Sequence, residues 1–336
     1  MHPTVTELAN YLKSKDHNKN ILPSESFIND TAEDKTNRKN INVLPEIDDN
    51  DVAIISLSFR LPNKINNSEA LWHNLSKHES LINEIPSMRW HWQDYYNPDS
   101  THPGTTVCKW GAFIEDIEYF DPGFFNLSKR EARIMDPQQR LLLETSWEAL
   151  EVAGYSPSYL ANKNQSVGVF IGASLMDYAQ LLNQEGFSKD PYYAAGNSLC
   201  LLANRISYIL GLNGPSLTLD TACSASLTAL HYALKSIRSK EINLALVGSA
   251  ALMLIPDNFI VWSQMGILAD KANSSAFDAN ASGFVPGEAI VSILIKPAKQ
   301  AIQDNDNIWG IIKGSAINHD GRTKVGLSAT SPKAQA

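Results

Sequence analysis

Several stretches of this chain are almost uninterrupted runs of apolar residues, and helical patterns separate them. A strand with one face in water alternates apolar and polar residues, so continuous apolar strands predict a sheet covered on both faces. The chain therefore belongs to the α/β class. The predicted strands are VAIISLSF after Asp51, VGVFIGAS (167–174), SLTLDTA (216–222), LALVGSAALM (244–253), AIVSILIK (289–296) and IWGIIKGSAI (308–317).

The helices between these strands have recognisable boundaries. Pro137 interrupts the longest helical region, and Gly211 provides a stop for another helix. The predicted helices cover residues 128–153, 203–210, 224–239 and the segment PAKQAIQD (297–304).

The chain divides into three parts. Apolar residues recur with helical spacing in residues 1–14, which are predicted to form a helix. Residues 15–50 are rich in Lys, Asp, Asn, Glu and Ser and have few large apolar side chains. Such a segment cannot bury enough surface to offset its ordering entropy, so a disordered linker is predicted there. The globular domain is expected to cover residues 51–336.

Charge and cysteine content argue against several classes of protein. The net charge of −8 disfavours a nucleic-acid partner, because phosphate binding needs a basic surface. No apolar run approaches the roughly 20 residues of a membrane span, and the first residues lack a signal-peptide pattern. The three cysteines are too few and too scattered for a disulfide framework or a CxxC metal site. A cytoplasmic protein with no bound cofactor or metal is expected.

Cys223 lies at a tight corner between a strand and a helix. In LDTACSAS (219–226), very small residues surround the thiol on both sides. Apolar residues recur at helical spacing beyond it, so one face of the following helix is predicted to be buried: Leu227, Leu230, Leu234 and Ile237.

This position suits a nucleophile. The positive end of the helix dipole favours the thiolate, and free backbone N–H groups there can hold a developing oxyanion. Cys223 is therefore a candidate for covalent acyl catalysis. The alternative is a structural role, because free cysteines are often buried in cores. That structural interpretation is retained for Cys108 and Cys200.

The segment DTACSAS (220–226) closely resembles the active-site segment of β-ketoacyl synthases, the ketosynthase domains of modular polyketide synthases. Further stretches resemble family segments in the family's order, over about residues 50–336. They are RLP (60–62), WGAFIEDIEYFDPGFFNLSKREARIMDPQQRLLLETSWEALEVAGY (110–155), VGVFIGAS (167–174), GNSLCLLANRISYILGLNGPS (196–216), FDANASGFVPGE (277–288) and INHDGRTKVGLSATSP (317–332).

The resemblance implies a thiolase-like, layered αβαβα fold, of which this chain would supply the N-terminal half and the start of the C-terminal half. It implies that Cys223 carries an acyl chain, which a malonyl unit extends by decarboxylative Claisen condensation. The malonyl unit would arrive on the phosphopantetheine arm of an acyl carrier protein. The intact parent would form a homodimer through the strand before Cys223. HPTVTELANYL (2–12) resembles the last helix of such a carrier, so residues 1–14 are expected to be a carrier tail.

The family's two catalytic histidines lie in the motifs HGTGT and NIGH, and this sequence contains neither motif. His319, in NHDG, precedes HGTGT in family order and is expected to be structural or peripheral. His231 is expected to pack within its helix. Asp220 and Glu288 match family positions and are expected to organise hydrogen bonds. The 336-residue chain is therefore expected to be a C-terminally truncated ketosynthase that accepts an acyl group without condensing it.

Three alternatives remain open on the sequence. A non-condensing ketosynthase would only transfer or gate acyl chains. An inactive fragment could serve as a scaffold that docks carrier proteins. A cysteine hydrolase is disfavoured, because no Cys–His–Asn/Asp arrangement with family spacing is visible.

Overall fold

The structure, a computed structural model, describes residues 47–162, 166–324, 326 and 329–335. The helix predicted over residues 1–14 and the linker residues 15–46 lie outside this description. Residues 47–50, the last of the predicted linker, contact the domain. Ile47 packs against its core, and the Lys299 ammonium lies 2.6 Å from the Asp49 carboxylate.

A six-stranded mixed sheet forms the centre of the domain. Its strands are β1 (Val52–Arg60), β4 (Val167–Gly172), β5 (Ser216–Leu219), β6 (Leu244–Ala251), β7 (Ala289–Pro297) and β8 (Gly310–Ile312). A separate two-stranded ladder joins β2 (Asn83–Glu84) to β3 (Trp110–Gly111). The order in the large sheet is β5-β4-β6-β7-β1-β8. Strand β4 pairs in parallel with β5 and β6, and the remaining pairs are antiparallel.

The helices of the described domain lie between and around these strands. They are α1 (Ser68–Lys77), α2 (Lys129–Ile134), α3 (Pro137–Val152), α4 (Pro157–Asn162), α5 (Asp177–Gln184), α6 (Tyr193–Asn197), α7 (Cys200–Leu210), α8 (Ala225–Arg238), α9 (Asp257–Gln264), α10 (Ala298–Gln303) and α11 (Pro332–Gln335). Short 3-10 turns cover Trp92–Asp94, Phe187–Lys189, Ala222–Ser224 and Gly321–Thr323.

Helices cover both faces of the sheet. On one face, α3 packs across β7, β1 and β6, and α7 packs on β5 and β4. On the other face, α8 packs on β4 and β6. All six residues of β4 are buried, with Val169 and Ile171 in the core under α3 and α7 and Phe170 in the core under α8. The predicted sheet with two covered faces is confirmed.

Two predicted helix boundaries are confirmed. Pro137 is the first residue of α3, and the Asp136 carboxylate caps the helix by accepting a hydrogen bond from the Gln138 N–H at 2.8 Å. Burial raises the pKa of the Asp136 carboxyl to about 6. Gly211 ends α7 with φ of 65°, a left-handed conformation that glycine adopts without strain.

Two predicted strands are too long by three residues or more, and those predicted over 167–174 and 244–253 each end two residues early. The strand predicted over residues 216–222 ends at Leu219, because the chain turns at Asp220 before it reaches the cysteine. The strand predicted over residues 308–317 is only three residues long, since it pairs with β1 just at Gly310–Ile312.

The predicted buried face of α8 is also partly wrong. Leu227 is 70% exposed, whereas Leu234 and Ile237 are buried as expected. Ala229 and Ala233 form the middle of the face that packs on the sheet, and both are fully buried. Small side chains bring the helix backbone close to the sheet, so the leucine spacing misplaces the contact face.

Candidate active site

Cys223 lies in the 3-10 turn Ala222–Ser224 that connects β5 to α8, and its residue is exposed. Ala222, directly before it, has φ of +52°. A residue with a Cβ in the left-handed region costs about 1–2 kcal/mol relative to right-handed backbone. The strand therefore enters the helix through a sharp, strained elbow, with the thiol at its apex.

Hydrogen bonds hold this elbow in place. The Asp220 carboxylate accepts a hydrogen bond from the Ala222 N–H at 3.0 Å. The Ser224 hydroxyl donates to the carbonyl oxygen of Thr221 at 2.8 Å and approaches its hydroxyl at 3.0 Å. The Thr221 hydroxyl donates to the Thr228 hydroxyl at 3.1 Å. Thr221 thus ties both sides of the elbow to the first turn of α8.

Thr221→Val is expected to lower the free energy of unfolding by about 1–2 kcal/mol, because it leaves the partly buried hydroxyl of Thr228 without its partner. Urea denaturation measures the change. Thr101→Val is the matched control, since it removes only an exposed hydrogen bond to Asp99 and should stay within about 0.5 kcal/mol of the parent. Equal effects of the two substitutions would show that Thr221 does not stabilise the elbow.

The approach of β4 to α8 fixes where the helix begins. A Cβ added to Gly172, the last residue of β4, would lie 2.4 Å from the backbone carbonyl carbon of Ala225. The backbones of the strand and of the first residue of α8 are therefore in direct contact. This contact sets the position of the turn that carries Cys223.

The Cys223 elbow opens onto a pocket of about 440 Å³. Its apolar wall includes Met253, Trp262, Ile267 and Phe284. Its polar lining residues, besides Cys223, are serines and Asn258. None of the described residues that line the pocket is charged. Such a pocket suits an apolar chain attached next to the thiol.

Glu288 fixes the backbone of Met253, one of the apolar residues of this wall. Its buried carboxylate accepts hydrogen bonds from the backbone N–H groups of Ile114 and Met253, each at 2.8 Å, and from the Arg89 guanidinium at 3.0 Å. Burial raises the pKa of the Glu288 carboxyl, and the Arg89 charge opposes that rise. The hydrogen-bonding roles predicted for Asp220 and Glu288 are confirmed.

Neither histidine of the C-terminal part lines the Cys223 pocket. His231 is buried in α8, with its Nδ1 atom 3.0 Å from the Ser315 hydroxyl. Burial, together with the charges of Lys235 and Arg238, lowers the pKa of His231. His319 is exposed, and its Nδ1 atom accepts a hydrogen bond from the Gly321 N–H at 2.9 Å. The predicted packing of His231 is confirmed.

The other two cysteines differ from each other. Cys108 is fully buried, as predicted, and burial raises the pKa of its thiol. Cys200 is exposed, so the prediction of a buried Cys200 is wrong. It is the first residue of α7 and lies off the face on which Leu202, Ala203 and Ile206 pack. Within the described ranges, no group of His, Cys, Asp and Glu is suited to hold a metal ion.

Sequence reasoning missed the pocket wall and the conformation of Ala222. One signal points toward the wall: β4, β5 and β6 are parallel, so their carboxyl ends meet at one edge of the sheet. Gly172, Cys223 and Met253 all lie at or just beyond those ends.

In the part of the chain that the structure describes, no helix is both long and apolar enough to cross a bilayer.

Comparison with known proteins points to a single family. The model of the β-ketoacyl synthase N-terminal domain matches residues 49–301. A mycocerosic acid synthase-like polyketide synthase of Mycolicibacterium smegmatis is 43% identical over 285 residues, 85% of this chain. The polyketide synthase PksM of Bacillus subtilis is 43% identical over 297 residues, 87% of this chain. The chain spans 13% and 7% of the lengths of these two relatives.

Solved structures of ketosynthases are similar to the domain. The oxazolomycin ketosynthase domain of Streptomyces albus matches with a TM-score of 0.79 and 33% identity, over 85% of this chain and 49% of that one. The ketosynthase from module 6 of the bacillaene synthase of Bacillus subtilis matches with a TM-score of 0.76 and 38% identity, over 85% of this chain and 46% of that one. The predicted thiolase-like fold class and the resemblance to ketosynthases are confirmed.

Proposed function

Because the chain belongs to the β-ketoacyl synthase family, we propose that Cys223 accepts an acyl group in the protein that contains this sequence. The observation that carries this proposal is the exposed thiol on a strained elbow, next to an uncharged pocket of about 440 Å³. The family relation supports a thioester on a carrier protein as the donor. The pocket supports an apolar acyl chain.

The acyl transfer follows from the groups present. The Cys223 thiolate attacks the carbonyl carbon of the donor thioester and forms a tetrahedral oxyanion. The N–H groups in the first turn of a helix that lack an intrahelical partner are suitable donors for that oxygen, and α8 begins directly after the turn that carries Cys223. Collapse of the intermediate breaks the bond to the donor sulfur, which leaves as a thiolate and takes up a proton. The acyl chain then lies in the pocket lined by Met253, Trp262 and Phe284.

In the whole protein, condensation follows. A malonyl thioester on a carrier loses carbon dioxide, and the resulting carbanion attacks the acyl carbonyl on Cys223. The new carbon–carbon bond forms as the Cys223 thiolate leaves, which gives a β-ketoacyl thioester on the carrier. The family uses histidines of HGTGT and NIGH motifs to stabilise the carbanion, and the 336 residues contain neither motif.

The isolated 336-residue chain is therefore expected to become acylated at Cys223 but not to catalyse the condensation with a malonyl unit. The test incubates the acylated chain with malonyl carrier protein and looks for a β-ketoacyl product by mass spectrometry. The positive control is a complete ketosynthase with both histidine motifs. Each lost catalytic contact removes about two to three decades of rate, so no product is expected. A β-ketoacyl product from this chain would show that His319 or another group here stabilises the carbanion.

The remaining parts of the proposal concern partners. An acyl carrier protein presents the substrates on phosphopantetheine, with residues 1–14 as the tail of a carrier domain and residues 15–46 as a disordered linker. Residues 47–50, which the sequence assigned to that linker, pack on the domain instead. The whole protein works in the cytoplasm as a homodimer through β5. Two observations support this interface: β5 is an edge strand with Leu217 45% exposed, and Tyr208 on the adjacent α7 is 85% exposed.

A further inference from the structure

A second groove lies on the domain, separate from the Cys223 pocket. It has a volume of about 440 Å³ and shares no lining residue with that pocket. Its walls come from helices α2, α3 and α5, the loops on either side of β3, and the loop after β6. Its charged lining residues are Arg89, Arg133, Arg140 and Glu118. We call it the arginine groove.

Arg140 is a buried cation without a matching anion. Its residue is 8% exposed, and within the described ranges no carboxylate oxygen lies within 4.0 Å of its guanidinium. Its Nη1 atom lies 3.5 Å from the carbonyl oxygen of Glu118, at the limit of a hydrogen bond, and its buried Nε finds no acceptor among the described residues. The Tyr178 ring lies 5.6 Å from it, and the neutral Tyr178 hydroxyl is a side-chain hydrogen-bond partner of the guanidinium, which leaves the positive charge unmatched. Buried charges are ordinarily paired, so this exception calls for a partner.

The two neighbouring arginines add to the positive charge. Arg89 is engaged by Glu288 and by the carbonyl oxygen of Ile114 through Nη2, but its buried Nε has no acceptor in the described part of the chain. Arg133 is exposed and stacks over the Phe187 ring at 5.0 Å. Among the described residues, no carboxylate lies within 4.0 Å of Arg133.

The carboxylates near this groove do not neutralise the positive charge of its three arginines. Glu118 is the one carboxylate among its described lining residues, and it is exposed. Glu288 lies behind Arg89 and is already bonded to two backbone N–H groups. Asp136, which caps α3, and Glu144, within α3, affect the Arg140 guanidinium only at longer range. The groove therefore has net positive charge in a chain whose total charge is −8.

The rest of the lining is mostly apolar. It consists of Met88, Ile117, Pro137, Leu181 and Leu254, together with Tyr178, whose hydroxyl donates to the carbonyl oxygen of Arg133 at 2.6 Å. A ligand that satisfies both parts of the groove needs an anionic head and an apolar chain. Guanidinium groups match carboxylate and phosphate oxygens with paired N–H donors.

We propose that the arginine groove binds an oxoanion that carries an apolar chain, with the head at Arg133 and Arg140 and the chain along Leu181 and Leu254. The head is a carboxylate or a phosphate. The site is independent of acyl transfer at Cys223, because the two cavities have no lining residue in common.

Isothermal titration calorimetry on the 336-residue chain tests the proposal at fixed ionic strength. The probes are hexanoate and n-hexyl phosphate, with acetate and hexan-1-ol as controls. At least one hexyl anion should bind saturably, and both controls should bind at least about tenfold more weakly. The tighter of the two anions identifies the head group. Absence of saturable binding by both anions, or equal binding of hexan-1-ol, would overturn the proposal.

Variants separate this groove from the Cys223 pocket, which also has apolar walls. Arg133→Gln should weaken anion binding about tenfold, and Glu118→Gln should strengthen it about threefold, because the two charges act in opposite directions. Both side chains are exposed, so the fold should tolerate either change. Arg130→Gln is the matched control: it lies on the same helix, pairs with Asp190 at 3.0 Å and is outside the groove. Parental affinity in Arg133→Gln, or a loss of similar size in Arg130→Gln, would refute the site.

Discussion

Acylation of the chain by an acyl-pantetheine thioester is expected to disappear in Cys223→Ala. The parent should gain the mass of one acyl group, because Cys223 is exposed at the elbow before α8 and faces a pocket that can hold the chain. Removing a nucleophile without a substitute should lower the rate at least about 10³-fold. Intact-protein mass spectrometry over a time course measures both variants under the same conditions.

Cys200→Ala is the matched control for this experiment. Cys200 is also an exposed free cysteine at the start of a helix, but it does not line the Cys223 pocket. Its loss should leave the acylation rate within about twofold of the parent. A mass shift that persists in Cys223→Ala and vanishes in Cys200→Ala would move the nucleophile to α7 and overturn the assignment.

Gly172→Ala is expected to destabilise the domain by about 3 kcal/mol and to slow acylation as well. The added Cβ would lie within 2.5 Å of three backbone atoms, the carbonyl carbon and oxygen of Ala225 and the nitrogen of Ser226. Backbone cannot rotate away as a side chain can, so the start of α8 must shift. That shift displaces the turn that holds Cys223. Urea denaturation and the acylation time course report the two effects.

The control is Gly310→Ala in β8, where an added Cβ meets nothing within 4 Å. Its free energy of unfolding should stay within about 0.5 kcal/mol of the parent. If Gly172→Ala were as stable and as reactive as Gly310→Ala, the contact between β4 and α8 would not determine the position of the nucleophile.

The sequence predicts much of this fold because the informative signals are local. Pro137 restricts the backbone at its own position, and Gly211 permits the left-handed conformation that ends a helix, so the boundaries of α3 and α7 follow from them. Continuous apolar strands require cover on both faces, which is what α3, α7 and α8 provide. The corner at Cys223 could be predicted because the very small residues and the helical spacing that indicate it are adjacent in the sequence.

Features set by distant parts of the chain could not be predicted in this way. Ala222 has no glycine-like sequence signal, and its left-handed backbone is maintained by Thr221, Ser224 and the approach of α8 to β4. The exposure of Leu227 depends on which face of α8 the sheet contacts. The arginine groove likewise joins Arg89, Arg140 and segments far from both, so no local pattern marks it.

The meeting of β4, β5 and β6 at one edge of the sheet also has a kinetic consequence. Gly172, Cys223 and Met253 are far apart in sequence, and long segments must close before their strand ends can align. Contacts of long sequence separation form slowly, because loop closure loses entropy before pairing repays it. During synthesis or refolding the thiol is therefore present well before the elbow and the pocket around it. The elbow and the pocket exist only in the assembled sheet, so fast acylation directed to Cys223 requires the folded strands and not merely a free thiol.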